Sequence, residues 1–170
     1  MRIKICQPLA IHELGKRANQ EDSIYPIEGK AMENDRLFLL CDGMGGHEHG
    51  EVASQSICKS LSSFLLQHAV ASEGLEDKLL SDALAYAYEE LDKLAIAGDS
   101  RQMGTTLTLL YFHSNGCTAA HIGDSRIYHL RPSSHTILYK SRDHSLVFDL
   151  YQAGELIYEE MKTFPQKNVI

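Results

Sequence analysis

The sequence predicts an α+β fold in which antiparallel strands are covered by helices. Apolar residues recur at helical spacing through two long segments of the first half, residues 51–66 and 80–95. After Gly104 the composition changes to short runs rich in Thr, Ile, Leu or Tyr, separated by polar or glycine-bearing loops. These segments come as strands, then helices, then strands, and not in the alternation that builds a parallel sheet.

Taken in order, residues 2–6 alternate polar and apolar and read as an opening strand. Residues 15–23 are dense in ionisable groups and carboxamides, and a second polar stretch, 28–36, leads into Leu37-Phe38-Leu39-Leu40-Cys41, which has the length of a buried strand. That run stops at Asp42, and three of the next four residues are glycine. Glycine admits positive φ and leaves no Cβ between backbone and ligand, so a carboxylate at the mouth of such a turn suits a hard cation. An Asp-Gly pair alone is ordinary turn punctuation. In residues 51–66, Ala53, Ile57, Leu61, Phe64 and Leu65 share one helical face, with Ser54, Gln55, Lys59 and Ser62 on the polar side. Leu80, Ala83, Leu84, Ala87, Leu91, Leu94 and Ala95 form the stripe of a second helix, stopped by Gly98. Strands follow at 105–113, 116–122, 125–131 and 136–140 as an antiparallel meander, and residues 146–153 and 155–161 return to helix before Pro165.

With 170 residues, 44% hydrophobic and 23% charged, the chain fits one domain over 1–170. A net charge of −7 with no basic stripe excludes a general nucleic-acid binder. Cys6, Cys41, Cys58 and Cys117 are widely spaced and form no C-x-x-C pair, so they read as buried thiols of a reducing compartment, not as a zinc site or disulfide frame. No apolar run is long enough to span a bilayer or serve as a signal peptide; no membrane partner is expected, and the cytoplasm is the expected compartment.

Acids stand at predicted strand ends in three places: Glu21-Asp22, Asp42-Gly43 and Gly123-Asp124-Ser125-Arg126. Converging carboxylates and a backbone carbonyl are what magnesium or manganese takes, and two such ions can clamp both ends of an in-line phosphoryl displacement. Arg17, four residues before Glu21, would supply the forked donor that grips a phosphate.

Arg17-Ala18-Asn19-Gln20-Glu21-Asp22, Asp42-Gly43-Met44-Gly45-Gly46-His47 with Gly50-Glu51, Gly104-Thr105-Thr106, Gly123-Asp124-Ser125-Arg126 and Asp143-His144-Ser145 occur in one order over nearly the whole chain. In this the sequence resembles the metal-dependent serine/threonine protein phosphatases of the protein phosphatase 2C family, its bacterial branch above all. The resemblance implies a β-sandwich of antiparallel sheets flanked by helices, with a magnesium or manganese centre at one end and a phosphorylated protein as substrate. By the same resemblance Asp42 would bridge two metals and the Gly43 carbonyl would add a ligand. Glu21 and Asp22 would bind directly or through water, Asp124 would serve a third, weaker site, and Arg17 would hold the substrate phosphate. The attacking group would be a metal-bridging hydroxide, without a covalent phosphoenzyme.

Two departures stand out. Animal members place a histidine directly after the Asp-Gly pair; here that residue is Met44, so His47 becomes the candidate proton donor, with His49 beyond it, while His121 and His144 read as structural. The family also continues with further strands and with Ser-Asp-Gly and Asp-Asn motifs that have no counterpart before Asn168-Val169-Ile170. The expectation is therefore a sandwich lacking its C-terminal part, impaired in catalysis and open to self-association through unpaired sheet edges. The alternative is a catalytically silent regulatory or interaction module on the same fold. A nucleotide-binding loop at 43–46 is disfavoured because it lacks the lysine and the helix context that cradle phosphates.

Overall fold

The computed structural model describes residues 3–44, 49–70, 73–94 and 103–165, and the chain divides into two units, residues 1–120 and 121–170. In the first unit the elements are β1 (Asp22–Tyr25), β2 (Leu37–Met44), α1 (His49–His68), α2 (Asp77–Leu94), β3 (Gly104–Thr105), β4 (Leu107–His113) and β5 (Gly116–Ile122), the last running two residues past the division. Among the described residues they form one sheet in the order β1-β2-β4-β5, with β3 also on β2. Its strands pair antiparallel across β1–β2, β2–β3 and β2–β4.

The sheet has one covered face because the apolar period of β2 is two. Leu37, Leu39, Cys41 and Gly43 are buried, and Phe38, Leu40, Asp42 and Met44 between them are not. Leu37 pairs with Tyr111 and Leu39 with Leu109, so the buried side chains of β4 fall on the same face. Ala53, Ile57, Leu61 and Leu65 of α1 meet them in a single apolar cluster, which Ala83, Ala87 and Leu91 of α2 complete. Ala83 and Ala87 have no exposed surface. Each large aliphatic side chain buried in this way contributes roughly 1.5–3 kcal/mol.

Several expectations are corrected here. Residues 3–6 form no strand among the described residues, since alternation alone does not make a strand without a partner ladder. Ser54 and Ser62, assigned to the polar face of α1, are buried. Ser54 Oγ donates to the Glu51 carbonyl at 3.1 Å and lies 3.0 Å from Ser23 Oγ on β1, and Ser62 Oγ donates to the Lys59 carbonyl at 3.0 Å. A hydroxyl satisfied inside its own helix needs no water, so hydropathy spacing misplaces it. Leu94, assigned to the buried stripe of α2, is exposed, and Ala95 and Gly98 lie outside the described residues. Of the four thiols expected to be buried, Cys41 and Cys58 are, and Cys6 and Cys117 are exposed.

The second unit contains β6 (Tyr128–Arg131), β7 (Thr136–Lys140), α3 (Leu146–Gln152) and α4 (Tyr158–Met161). The expected four-strand meander is broken: β6 and β7 pair antiparallel in a sheet of their own, across a 3-10 turn at Pro132–Ser134. Residues 125–127, expected to be strand, lie outside β6, although Ile127 and Ser141 extend the pairing through two bonds of 2.9 Å. Gly154, at φ +77°, ends α3, with its amide on the Tyr151 carbonyl and the Glu155 amide on Leu150. Only a residue free of Cβ takes that left-handed conformation cheaply, so the helical segment splits there and α4 is a single turn.

Candidate active site

β2 carries the apolar run forward and delivers Asp42 at its exposed end, but the strand does not stop there; it continues through Gly43 to Met44. Asp22 of β1 stands directly opposite Asp42 in the antiparallel register. Directly opposed residues point to the same face, so the two acids leave the ladder on one side, an arrangement that suits a hard cation.

Gly43 is required for space, not for positive φ. A Cβ built there would lie 2.0 Å from the Gly50 carbonyl oxygen of α1 and 2.8 Å from the Glu21 carbonyl oxygen. The Gly43 amide donates to that same Glu21 carbonyl at 3.0 Å. Gly50 is nearly as confined: its Cβ would meet the Gly43 carbonyl carbon at 3.0 Å and the Glu21 carboxyl carbon at 3.2 Å. These two glycines let the first turn of α1 rest on the end of β2. The Glu21 carboxyl group consequently lies beside the first turn of α1, the positive end of that helix.

Thr106 holds Asp42 from the other side, a role the sequence reading did not give it. The Asp42 amide donates to Thr106 Oγ1 at 3.1 Å, and the Thr106 amide donates to the Asp42 carbonyl at 2.9 Å. Thr105 Oγ1 donates to the Thr106 carbonyl at 3.0 Å. Side-chain hydroxyls thus enter the ladder at this step, which is why β3 and β4 are separate strands although both pair with β2 in one register. The adjacent Thr-Thr pair was the available signal. Thr106→Val should lower stability by about 1–3 kcal/mol, because a buried amide loses its acceptor, while Thr106→Ser should recover most of the loss; urea unfolding measures both.

Other candidates are distributed as follows. Arg17 is exposed, in a turn where its amide donates to the Leu14 carbonyl at 3.2 Å. His12 Nε2 lies 3.0 Å from the Asp22 carbonyl, and the Asp22 amide donates to Gln20 Oε1 at 3.1 Å. His12, Gln20, Asp22, Glu51 and Cys58 help to line a cavity of about 610 Å³. His47, with Gly45 and Gly46, lies outside the described residues. Contrary to the expectation for the 43–46 loop, a helix does follow it, since α1 begins at His49; the lysine is still missing. Among the described residues no three His, Cys, Asp or Glu side chains gather as a metal-binding group.

Asp124 belongs to the second unit, where with Arg126, Asp143, Ser145 and Lys162 it borders a cavity of about 260 Å³. Its loop is clasped. Arg126 donates from Nε and Nη2 to the two carboxylate oxygens of Asp143 at 2.6 and 2.5 Å, and the His144 amide donates to the Gly123 carbonyl at 3.0 Å. His144 stacks on His121 with ring centroids 4.5 Å apart. Burial, followed by the neighbouring His144 ring, keeps His121 below the usual histidine range.

The hydrogen bonds from Arg126 hold the Asp143 carboxyl below an aspartate's ordinary 3.8. A depressed value means that the pair's full contribution is present above 3.8 and declines as pH falls from there through the folded value. Acid titration of unfolding should show this decline, and Asp143→Asn should remove it.

Fold and strand-end site define the class together: an α+β protein presenting paired carboxylates beside an Asp-Gly strand end, with a clasped Gly-Asp-Ser-Arg loop. Residues 14–147 match the sequence pattern of the family described as protein phosphatase 2C, and the chain belongs to that family. Protein phosphatase PhpP of Streptococcus pneumoniae is 34% identical over 155 residues, which are 91% of this chain and 61% of PhpP. The crystal structure of the Mycobacterium tuberculosis serine/threonine phosphatase PstP/Ppp aligns with a TM-score of 0.71 at 35% identity, covering 91% of this chain and 61% of that one. The catalytic domain of PstP in complex with two manganese ions aligns with a TM-score of 0.64 at 35% identity, over 85% of this chain and 58% of that one. The chain thus spans about three-fifths of the length of these relatives.

Proposed function

We propose that this chain carries part of a metal-dependent serine/threonine phosphatase site, within one phosphatase domain over residues 1–170, and that by itself it binds magnesium or manganese weakly and turns over phosphoproteins slowly or not at all. The observation that supports this most is the direct opposition of Asp22 and Asp42 on one face of the β1–β2 ladder. All the donors there are hard oxygens, which fits a hydrated hard cation, and two carboxylates with one carbonyl leave most of its coordination to water. Asp42 and Asp22 would hold the ion, the Gly43 carbonyl would add a ligand, Glu21 would act through water, and Asp124 would serve a weaker third position. When bound, such an ion polarises a phosphoryl oxygen and makes a water a better nucleophile. Arg17 extends from an exposed turn, where its guanidinium would grip the substrate phosphate in bidentate fashion. His47 would return a proton to the leaving serine or threonine oxygen.

A catalytically silent interaction module is the second reading, favoured by the absence of a three-ligand metal group among the described residues. Manganese titration by calorimetry, with phosphate release from a phosphothreonine peptide, separates the two. Weak binding with little or no release is expected. Saturating manganese-dependent turnover would overturn the proposed impairment, and no manganese binding at all would leave the interaction module.

No described helix is long and apolar enough to cross a membrane. We place the protein in the cytoplasm because its four cysteines are widely spaced, form no C-x-x-C pair and read as thiols of a reducing compartment. β1 and β5 are the outer strands of the sheet order, and pairing of two copies along such an edge belongs to the same proposal, with sedimentation velocity as its measurement.

A further inference from the structure

The hairpin of the second unit stands uncovered among the described residues. Every residue of β6 and β7 is exposed, and the two strands pair only with each other. A two-stranded sheet is marginally stable in water, and a third strand is what steadies it. The register sorts the side chains between two faces. Tyr128 stands opposite Lys140 and Leu130 opposite Ile137, a mainly apolar face on which Lys140 Nζ lies 5.9 Å from the Tyr128 ring centroid. His129 stands opposite Tyr139 and Arg131 opposite Thr136, on the other face. Charge sets this hairpin apart from the rest of the chain. Residues 125–142 hold four basic residues and no acid, in a protein whose net charge is −7. Arg126 is paired with Asp143 and Arg142 with Asp149, while Arg131 and Lys140 form no salt bridge among the described residues.

We propose that the outer edge of β6 docks an extended peptide in which acidic and apolar residues alternate. The peptide adds as a third strand, its backbone bonding that of β6. Because side chains alternate with a period of two, its acids then stand beside His129 and Arg131, and its apolar residues beside Tyr128 and Leu130. Leu130 and Ile137, 56% and 57% exposed, give those apolar residues a surface to cover. Basic residues on an edge ordinarily keep other strands away. They leave an apolar or basic newcomer with an unanswered charge, whereas an acidic strand supplies the missing partner. Two copies joined along β6 would bring two basic edges together. Single-stranded nucleic acid fits less well, since it carries a charge on every nucleotide and meets two cations outside salt bridges, one of them on the apolar face. This inference does not depend on the phosphatase reading.

Fluorescence anisotropy of the 170-residue chain with a labelled peptide of alternating glutamate and valine tests this. Saturable binding is expected, weakening as sodium chloride rises from about 50 to about 500 mM. Methylating the peptide's amide nitrogens on one set of alternate residues should abolish binding, and on the other set should leave it, because only one edge of an added strand bonds β6. Arg131→Glu should weaken binding about fivefold to tenfold. Lys78→Glu, an equal charge change on α2, should not. The methylated peptides are read on the unaltered chain, so that result needs no variant to fold. The same effect from both methylated sets, or equal weakening by Lys78→Glu and Arg131→Glu, would overturn the proposal. So would a lack of saturable binding, tighter binding of a single-stranded RNA than of the peptide, or a dimer in sedimentation velocity that Arg131→Glu dissociates.

Discussion

Gly43→Ala is expected to destabilise the first unit by about 3 kcal/mol or more, seen as a lower urea midpoint with little change in slope. The added Cβ would fall 2.0 Å from the Gly50 oxygen, 2.4 Å from the Gly50 carbonyl carbon and 2.8 Å from the Glu21 oxygen. All three are backbone atoms, so no rotamer change relieves the clash; α1 must lift from the end of β2. Lifting it loosens the apolar cluster that α1 forms with Leu39, Cys41 and Leu109. Gly15→Ala and Gly29→Ala provide the contrast, because nothing lies within 4 Å of either Cβ and only their positive φ is disturbed. Those two should cost about 1 kcal/mol each. If Gly43→Ala unfolds at the wild-type midpoint, the close seat of the helix on the strand is wrong.

Asp42→Asn is expected to act in opposite directions on metal binding and on metal-free stability. In a manganese titration the affinity should fall at least roughly tenfold, since a charged ligand is lost from a pair that has few others. Without metal the variant should be more stable than wild type by roughly 0.2–1 kcal/mol, because two like charges directly opposite in a ladder repel. The fold should survive, since the Asp42 side chain is exposed and its backbone bonds to Thr106 do not involve the carboxylate. Asp22→Asn should behave in the same way, and the double variant should show less than the sum of the two. Asp77→Asn, a carboxylate in the first turn of α2, should leave manganese affinity unchanged. A fall in affinity without the gain in metal-free stability would mean that the two carboxylates are not neighbours.

Much of the site could be read along the chain. The apolar run of 37–41 ending in an acid and the acids at 21 and 22 are local features that lead to the β1–β2 end, whereas the Gly123-Asp124 motif lies in the second unit. For Gly43 the sequence offers two reasons, positive φ and the missing Cβ, and only the position of Gly50 decides that space is the one that counts. Thr106 stands in a family motif but its role is not legible there, because its task is to bond a residue 64 positions earlier. Ser54 looked like a solvated residue because the hydroxyl that meets it belongs to Ser23 on another element.

The sequence by itself determined the class of fold, the helices and most strands, the family, and which acids were candidates. Tertiary structure alone decided that Asp22 pairs with Asp42, that the first turn of α1 rests on Gly43, and that β6 and β7 form a sheet of their own. Apolar period and turn chemistry act over a few neighbouring residues and are written in their order. Register, close backbone approach and side-chain meeting depend on where distant segments come to rest once the core is packed.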